Sequence, residues 1–150
     1  AATTTTSTTT TTTTTPVPVG ATLTLLASLV EGNARNQRDL LQSQSIAVLS
    51  YLLSQLQPQQ RGDDQMLAAI ESLTVAVARR PKIVMQIAYW LLCNFSIWIG
   101  AKYSVQRQLL AMLRARIRAT PALFSGVFDI QKVIDVLHRF YWYEPVADTR

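Results

Sequence analysis

The chain has 150 residues, of which 49% are apolar and only 15% charged, with a net charge of +5. Five Gly and one Cys exclude a collagen repeat and a disulfide-stapled scaffold, and the apolar content excludes a disordered chain. The charge is uneven: residues 1–75 carry three Arg against five acids, and residues 76–150 carry eleven basic residues against four acids. A basic half favours an acidic partner without naming it.

Ala1 to Thr15 holds twelve Thr, and the tract has nothing to bury. Pro16-Val17-Pro18-Val19-Gly20 favours an extended approach, so residues 1–20 are expected to be a disordered linker. The start in a Thr tract without Met is expected of an excerpt from a longer polypeptide.

From Ala21 onward the pattern is helical. Leu23, Leu26, Ala27 and Val30 mark one face of a first helix, which Gly32-Asn33 ends. A short segment at 36–42 turns Leu40 and Leu41 inward. Ser45 is expected to cap a third helix with Ile46, Leu49, Leu52, Leu53 and Leu56 as its stripe, broken by Pro58 and residues 59–62. Asp63 or Asp64 caps a fourth, with Met66, Leu67, Ile70, Leu73 and Val77 inward and Arg79-Arg80 at its end.

Pro81 suits the first turn of a fifth helix over 82–92, apolar nearly all round and therefore expected to be buried. The uncharged run from Ile83 to Ala101 approaches the length of a membrane span, but Gln86, Asn94 and Ser96 interrupt it, and a buried helix followed by a turn at 95–100 is the preferred reading. Ser104 is expected to cap a sixth helix with Val105, Leu109, Met112, Leu113 and Ile117 inward. After Thr120-Pro121, Asp129 caps a last helix whose stripe is Ile130, Val133, Ile134, Leu137 and Tyr141. No strand pair with hairpin chemistry is present in the pattern.

About seven helices joined by short turns leave two all-α architectures, a closed bundle or a stretch of α-solenoid. The apolar excess suits a solenoid, whose terminal layers are covered by neighbouring repeats, although no clean repeat period is visible. The organisation expected is a linker over 1–20, a helical segment over 21–143, and a linker or next element over 144–150.

Candidate chemistry is sparse. His138, near Asp135 and Asp129, has no nucleophile in recognisable context and no second His for a metal, so it reads as a structural residue. Cys93 reads as a small core residue, and Asn94-Phe95-Ser96 matches a glycosylation acceptor by chance. No catalytic, cofactor-binding or metal-ligating residue is assigned, and an enzyme is the least favoured class. The one cluster with functional promise is Arg107, Arg114 and Arg118, which share a helix face near Lys102 and Lys132. They suit a phosphate, anionic lipid or acidic peptide, or form an ordinary solvated face. Nucleic acid and small-molecule substrates are not expected, there being no phosphate cradle or aromatic platform. The aromatic groups Tyr89-Trp90 with Phe95 and Trp98, and Phe140-Tyr141-Trp142-Tyr143, could form a partner groove, but fillers between helix layers are the preferred reading.

Several of these residues fall in a familiar order. Cys93-Asn94-Phe95-Ser96-Ile97-Trp98-Ile99, then Tyr103-Ser104-Val105-Gln106, then Val133 to Trp142, together with Leu40-Leu41-Gln42-Ser43 and Val48 to Leu53, resemble the helical region upstream of the PH-like and BEACH domains in the neurobeachin family. The likeness covers Leu25 to Tyr143. Cys93 stands where the family usually has a larger residue, and Ser50 where Gly is common. The resemblance implies an armadillo-like scaffold segment without catalytic residues, in a large cytoplasmic protein associated peripherally with endomembranes. It also implies roles in vesicle trafficking and membrane protein sorting, with other proteins and the flanking solenoid or PH-BEACH regions as partners. The alternative reading is a small helical module binding anionic lipid or phosphate through its basic face.

Overall fold

The computed structural model describes residues 18–57 and 62–142. The Thr tract, Pro58 to Arg61 and the stretch after Trp142, on which several expectations rest, lie outside the described residues. Those described are helical throughout, without a strand, and form nine helices where about seven were expected. They are α1 (Val19–Val30), α2 (Ala34–Gln42), α3 (Ser45–Gln55), α4 (Asp64–Ala76), α5 (Pro81–Ile87), α6 (Phe95–Trp98), α7 (Tyr103–Ala119), α8 (Pro121–Phe124) and α9 (Ile130–Val136). α5 and α9 each continue into a π-helical turn, at Ala88–Leu92 and Leu137–Tyr141. The extra elements arise because the expected turns after Asn94 and Thr120 close into single helical turns.

Local chemistry explains most boundaries. Asp63 and Asp129 accept from the backbone N–H three residues on, Met66 at 2.6 Å and Lys132 at 2.8 Å, which satisfies an otherwise orphaned donor. Asn33 does the same for Asn36 at 3.1 Å and starts α2 earlier than periodicity alone suggests. Pro81 occupies the first turn of α5, where a missing N–H costs nothing.

Other expected boundaries need correction. α1 begins at Val19, so Val19 and Gly20 are helical rather than linker. Gln44, in the left-handed region at φ 52°, precedes α3, and Ser45 is already helical. Lys102, not Ser104, stands before α7, and no side chain caps that helix.

Packing follows a step of three elements. α1 packs most extensively on α4, and α4 then packs on α7; α2 packs on α5 and α5 on α8; α3 packs on α6 and on the π-helical turn after α5. The starts of the first four of these pairs, Val19 to Asp64, Asp64 to Tyr103, Ala34 to Pro81 and Pro81 to Pro121, lie 39–47 residues apart, close to the step of armadillo-type repeats. The repeat hidden from sequence comparison is therefore plain in the packing. α1 and α4 approach closely because Gly20 lacks a side chain: a Cβ there would stand 2.8 Å from the Gln65 Cβ.

A single apolar core runs between these layers. Leu23 and Val30 of α1, Met66, Ile70 and Leu73 of α4, Ile83 and Ile87 of α5, and Leu109 and Leu113 of α7 are all buried in it. Full burial of such a side chain is worth about 1.5–3 kcal/mol.

Several expected inward positions face solvent instead. Leu52 is exposed on α3, and α5 with its π-helical continuation is not apolar on a hidden surface all round, since Met85, Tyr89 and Trp90 are exposed. On the last helix, Ile130 is 80% and Ile134 52% exposed, with Leu137 and Tyr141 also outward. Val136 and Phe140 turn to the core in their place.

Candidate interaction surfaces

The seam between α3, α5 and α6 is held by polar groups that end the π-helical turn. Shifting to wider hydrogen bonding strands the last carbonyls of that turn. The buried Ser50 hydroxyl donates to the Trp90 carbonyl, and the Trp98 indole Nε1 donates to the Leu91 carbonyl at 2.8 Å. Asn94 Nδ2 donates to Ser50 Oγ at 3.0 Å, and Asn94 Oδ1 in turn accepts from Ser96 Oγ. Two glutamines play a matching part elsewhere. Gln37 Nε2 donates to the Val30 carbonyl at 2.9 Å while its Oε1 accepts from Arg80 Nε at 3.3 Å. Gln106 Nε2 donates to the Ala101 carbonyl at 2.9 Å while its Oε1 accepts from the Tyr141 hydroxyl at 3.1 Å. Each straps the turn before its own helix to the layer that follows.

Arg107, Arg114 and Arg118 are exposed on α7, and steps of roughly 100° per residue place them within a narrow arc opposite Leu109 and Leu113. Arg116 lies on the other side of the helix, flanking Leu109 and Leu113, half-buried, with Nη2 4.0 Å from Glu71 Oε1. Lys102 is exposed ahead of α7. Lys132 has a different place: its Nζ sits 4.7 Å from the centre of the Tyr89 ring and joins α9 to the end of α5.

His138 is exposed, its ring 5.9 Å from that of Trp142, and Asp135 accepts instead from Gln131 Nε2 at 2.9 Å. Asp129 is spent on its cap. Cys93 is buried, and desolvation pushes its thiol from 9.0 to about 12, against a partial lowering by Lys132. No group of His, Cys, Asp and Glu among the described residues could hold a metal ion. Among them, too, no helix is long and apolar enough to cross a membrane.

Three adjoining hollows cross one face of the molecule. A notch of about 520 Å³ lies between α2 and the start of α5, ringed by Arg38, Arg79, Arg80 and Lys82. A shallow stretch of about 350 Å³ follows, lined by Met85, Tyr89, Trp90 and Val127, and it shares Leu41 and Lys82 with the notch. A cleft of about 350 Å³ between α6 and α9 completes the series, sharing Tyr89 and Trp90 and adding Lys132 and Arg139. The sequence offered a groove at Tyr89-Trp90 and Phe95 only as the less favoured reading, and the other walls come from segments far apart in the chain.

The stepwise packing defines an armadillo-like α-solenoid segment. The family model described as the Neurobeachin/BDCP, DUF4704 alpha solenoid region matches residues 1–149, further than the Leu25 to Tyr143 stretch that carries the resemblance, and the chain belongs to this family. It is similar to BEACH domain-containing protein B of Arabidopsis thaliana, 27% identical over 123 residues, covering 80% of this chain and 5% of that protein. It is also similar to BEACH domain-containing protein lvsD of Dictyostelium discoideum, 21% identical over 140 residues, covering 82% of this chain and 5% of that protein. The chain thus spans about a twentieth of the length of these relatives. No solved structure matches it.

Proposed function

We propose that the chain is a non-catalytic scaffold segment of a BEACH-type protein, acting through protein–protein contacts in vesicle trafficking and membrane protein sorting on the cytoplasmic side of endomembranes. The observation that carries this reading is the outward stripe of α9. Ile130, Ile134, Leu137 and Tyr141 recur at helical spacing, yet they are exposed while Val136 and Phe140 serve the core. A helix apolar on two faces belongs between two layers. The names of the relatives and the small share of them that it spans support a place inside a longer polypeptide, whose next solenoid layer or PH-BEACH region covers the stripe. In this reading residues 1–20 are largely linker up to the start of α1, and 144–150 lead into the next element.

Hydrogen exchange tests it. In a full-length BEACH-type protein carrying this segment, amides over 130–142 exchange more slowly than in the 150-residue chain alone. Equal, rapid exchange in both would contradict the scaffold layer.

The row Arg107, Arg114 and Arg118, without an ion pair among the described residues, favours a second reading, a basic face that binds anionic lipid or phosphate. Co-sedimentation with phosphatidylserine vesicles that falls with salt and with Arg114→Glu supports it. Binding independent of anionic lipid removes it.

A further inference from the structure

The three hollows form one groove, and its chemistry is graded along its length. At one end stand Arg38, Arg79, Arg80 and Lys82 over a floor that includes the buried Ile83. Among the described residues no acid lines this notch. Arg80 is oriented rather than loose, because Gln37 takes its Nε and is itself tied to the Val30 carbonyl. The terminal guanidinium nitrogens have no protein partner among the described residues.

The middle is apolar and exposed. Met85, Tyr89 and Trp90 stand open there, with Tyr89 and Trp90 edge to face at 4.9 Å between ring centres. Gln86, in the same wall, has a buried Oε1 without a hydrogen-bond partner among the described residues. At the far end Lys132 and Arg139 restore positive charge beside one acid, Asp135, which already accepts from Gln131.

Two cationic ends joined by an apolar, aromatic middle fit an elongated ligand with the opposite pattern. We infer that this groove binds an extended acidic segment of a partner protein, its carboxylates at the two ends and its apolar side chains against Tyr89 and Trp90. A membrane is the poorer fit, since the cations ring a concave notch and flank an aromatic trough rather than lying on a flat face. The inference rests on the scaffold reading and supplies the chemistry of one contact.

The test is fluorescence anisotropy of a labelled peptide with Glu at both ends and Leu and Phe between, titrated with the 150-residue chain. Its Gln counterpart and phosphatidylserine vesicles serve as comparison arms. The acidic peptide is expected to bind, more weakly as salt rises. Arg80→Glu with Lys82→Glu should weaken it about tenfold or more, as should Trp90→Ala, while Arg114→Glu on α7 changes it less than about twofold. Circular dichroism matching the parent shows that the variants are folded. Absence of binding, equal binding of the Gln peptide, preference for the vesicles, or an equal loss from Arg114→Glu overturns the inference. The exchange behaviour of 130–142 is read separately, so failure of the groove is distinguishable from failure of the scaffold reading.

Discussion

The Ser50 hydroxyl donates to the Trp90 carbonyl across a separation of 40 residues, and this contact joins α3 to the π-helical end of α5. The carbonyl is one of those that a helix end leaves without an intrahelical partner, and the Ser50 side chain that reaches it is buried. Ser50 also accepts from Asn94, so one side chain serves two part-buried polar groups. Ser50→Ala should destabilise the chain by about 1–3 kcal/mol, the cost of leaving buried polar groups unpaired. Urea unfolding measures it, and a change within about 0.3 kcal/mol would remove the hydroxyl from this role.

The two faces of the helical stripes differ in consequence. Leu109 lies in the core between α4 and α7, and Leu109→Asp should abolish cooperative folding, since an unpaired buried charge costs several kcal/mol. Ile134 is 52% exposed, so Ile134→Asp should shift stability by less than about 1 kcal/mol in this chain. Thermal unfolding of the pair checks both, and the order reversed would contradict the assigned core.

Two glycines separate strain from crowding. Gly32 and Gly62 both have positive φ, 65° and 70°. A Cβ at Gly32 meets nothing within 4 Å, whereas one at Gly62 would stand 2.6 Å from the Ala101 Cβ. Gly32→Ala should therefore cost about 1 kcal/mol, and Gly62→Ala about 2–3 kcal/mol. Equal losses in urea unfolding would deny the close approach of Gly62 to Ala101.

Cys93 gives a pH-dependent signature. Its thiol is held up to about 12 by burial, against 9.0 for the ordinary group. Below about pH 9 both folded and unfolded forms keep the proton, and the thiol contributes no pH dependence. Between 9 and 12 the unfolded thiol ionises first, so stability falls as pH rises. Cys93→Ala should remove that part of the decline, and the native thiol should resist a thiol reagent at pH 8 until the chain unfolds. Rapid labelling of the folded protein would place Cys93 outside the core.

Much of the fold was legible because its signals are local. The caps at Asp63 and Asp129, Pro81 in the first turn of α5, and the stripe through Met66, Ile70 and Leu73 depend on neighbours within a few residues. The outward turn of Ile130 and Ile134 was not legible, because periodicity marks a face without saying what covers it. Ser50, Gln37 and Gln106 were missed as tethers for a related reason: their partners Trp90, Arg80 and Tyr141 lie far along the chain. The row Arg107, Arg114 and Arg118 emerged on one face of α7, but Lys132 was drawn away by the Tyr89 ring. The motifs that carry the family resemblance act within the fold, Asn94 and Trp98 closing the seam and Gln106 strapping the turn before α7.

The most direct test is a set of interhelical nuclear Overhauser contacts in the 150-residue chain. Stepwise layering predicts contacts between Gly20 and Gln65 and between α4 and α7, and no comparable set between α1 and α7. A dense α1 to α7 set, with Gly20 remote from Gln65, would show a closed bundle and contradict the solenoid.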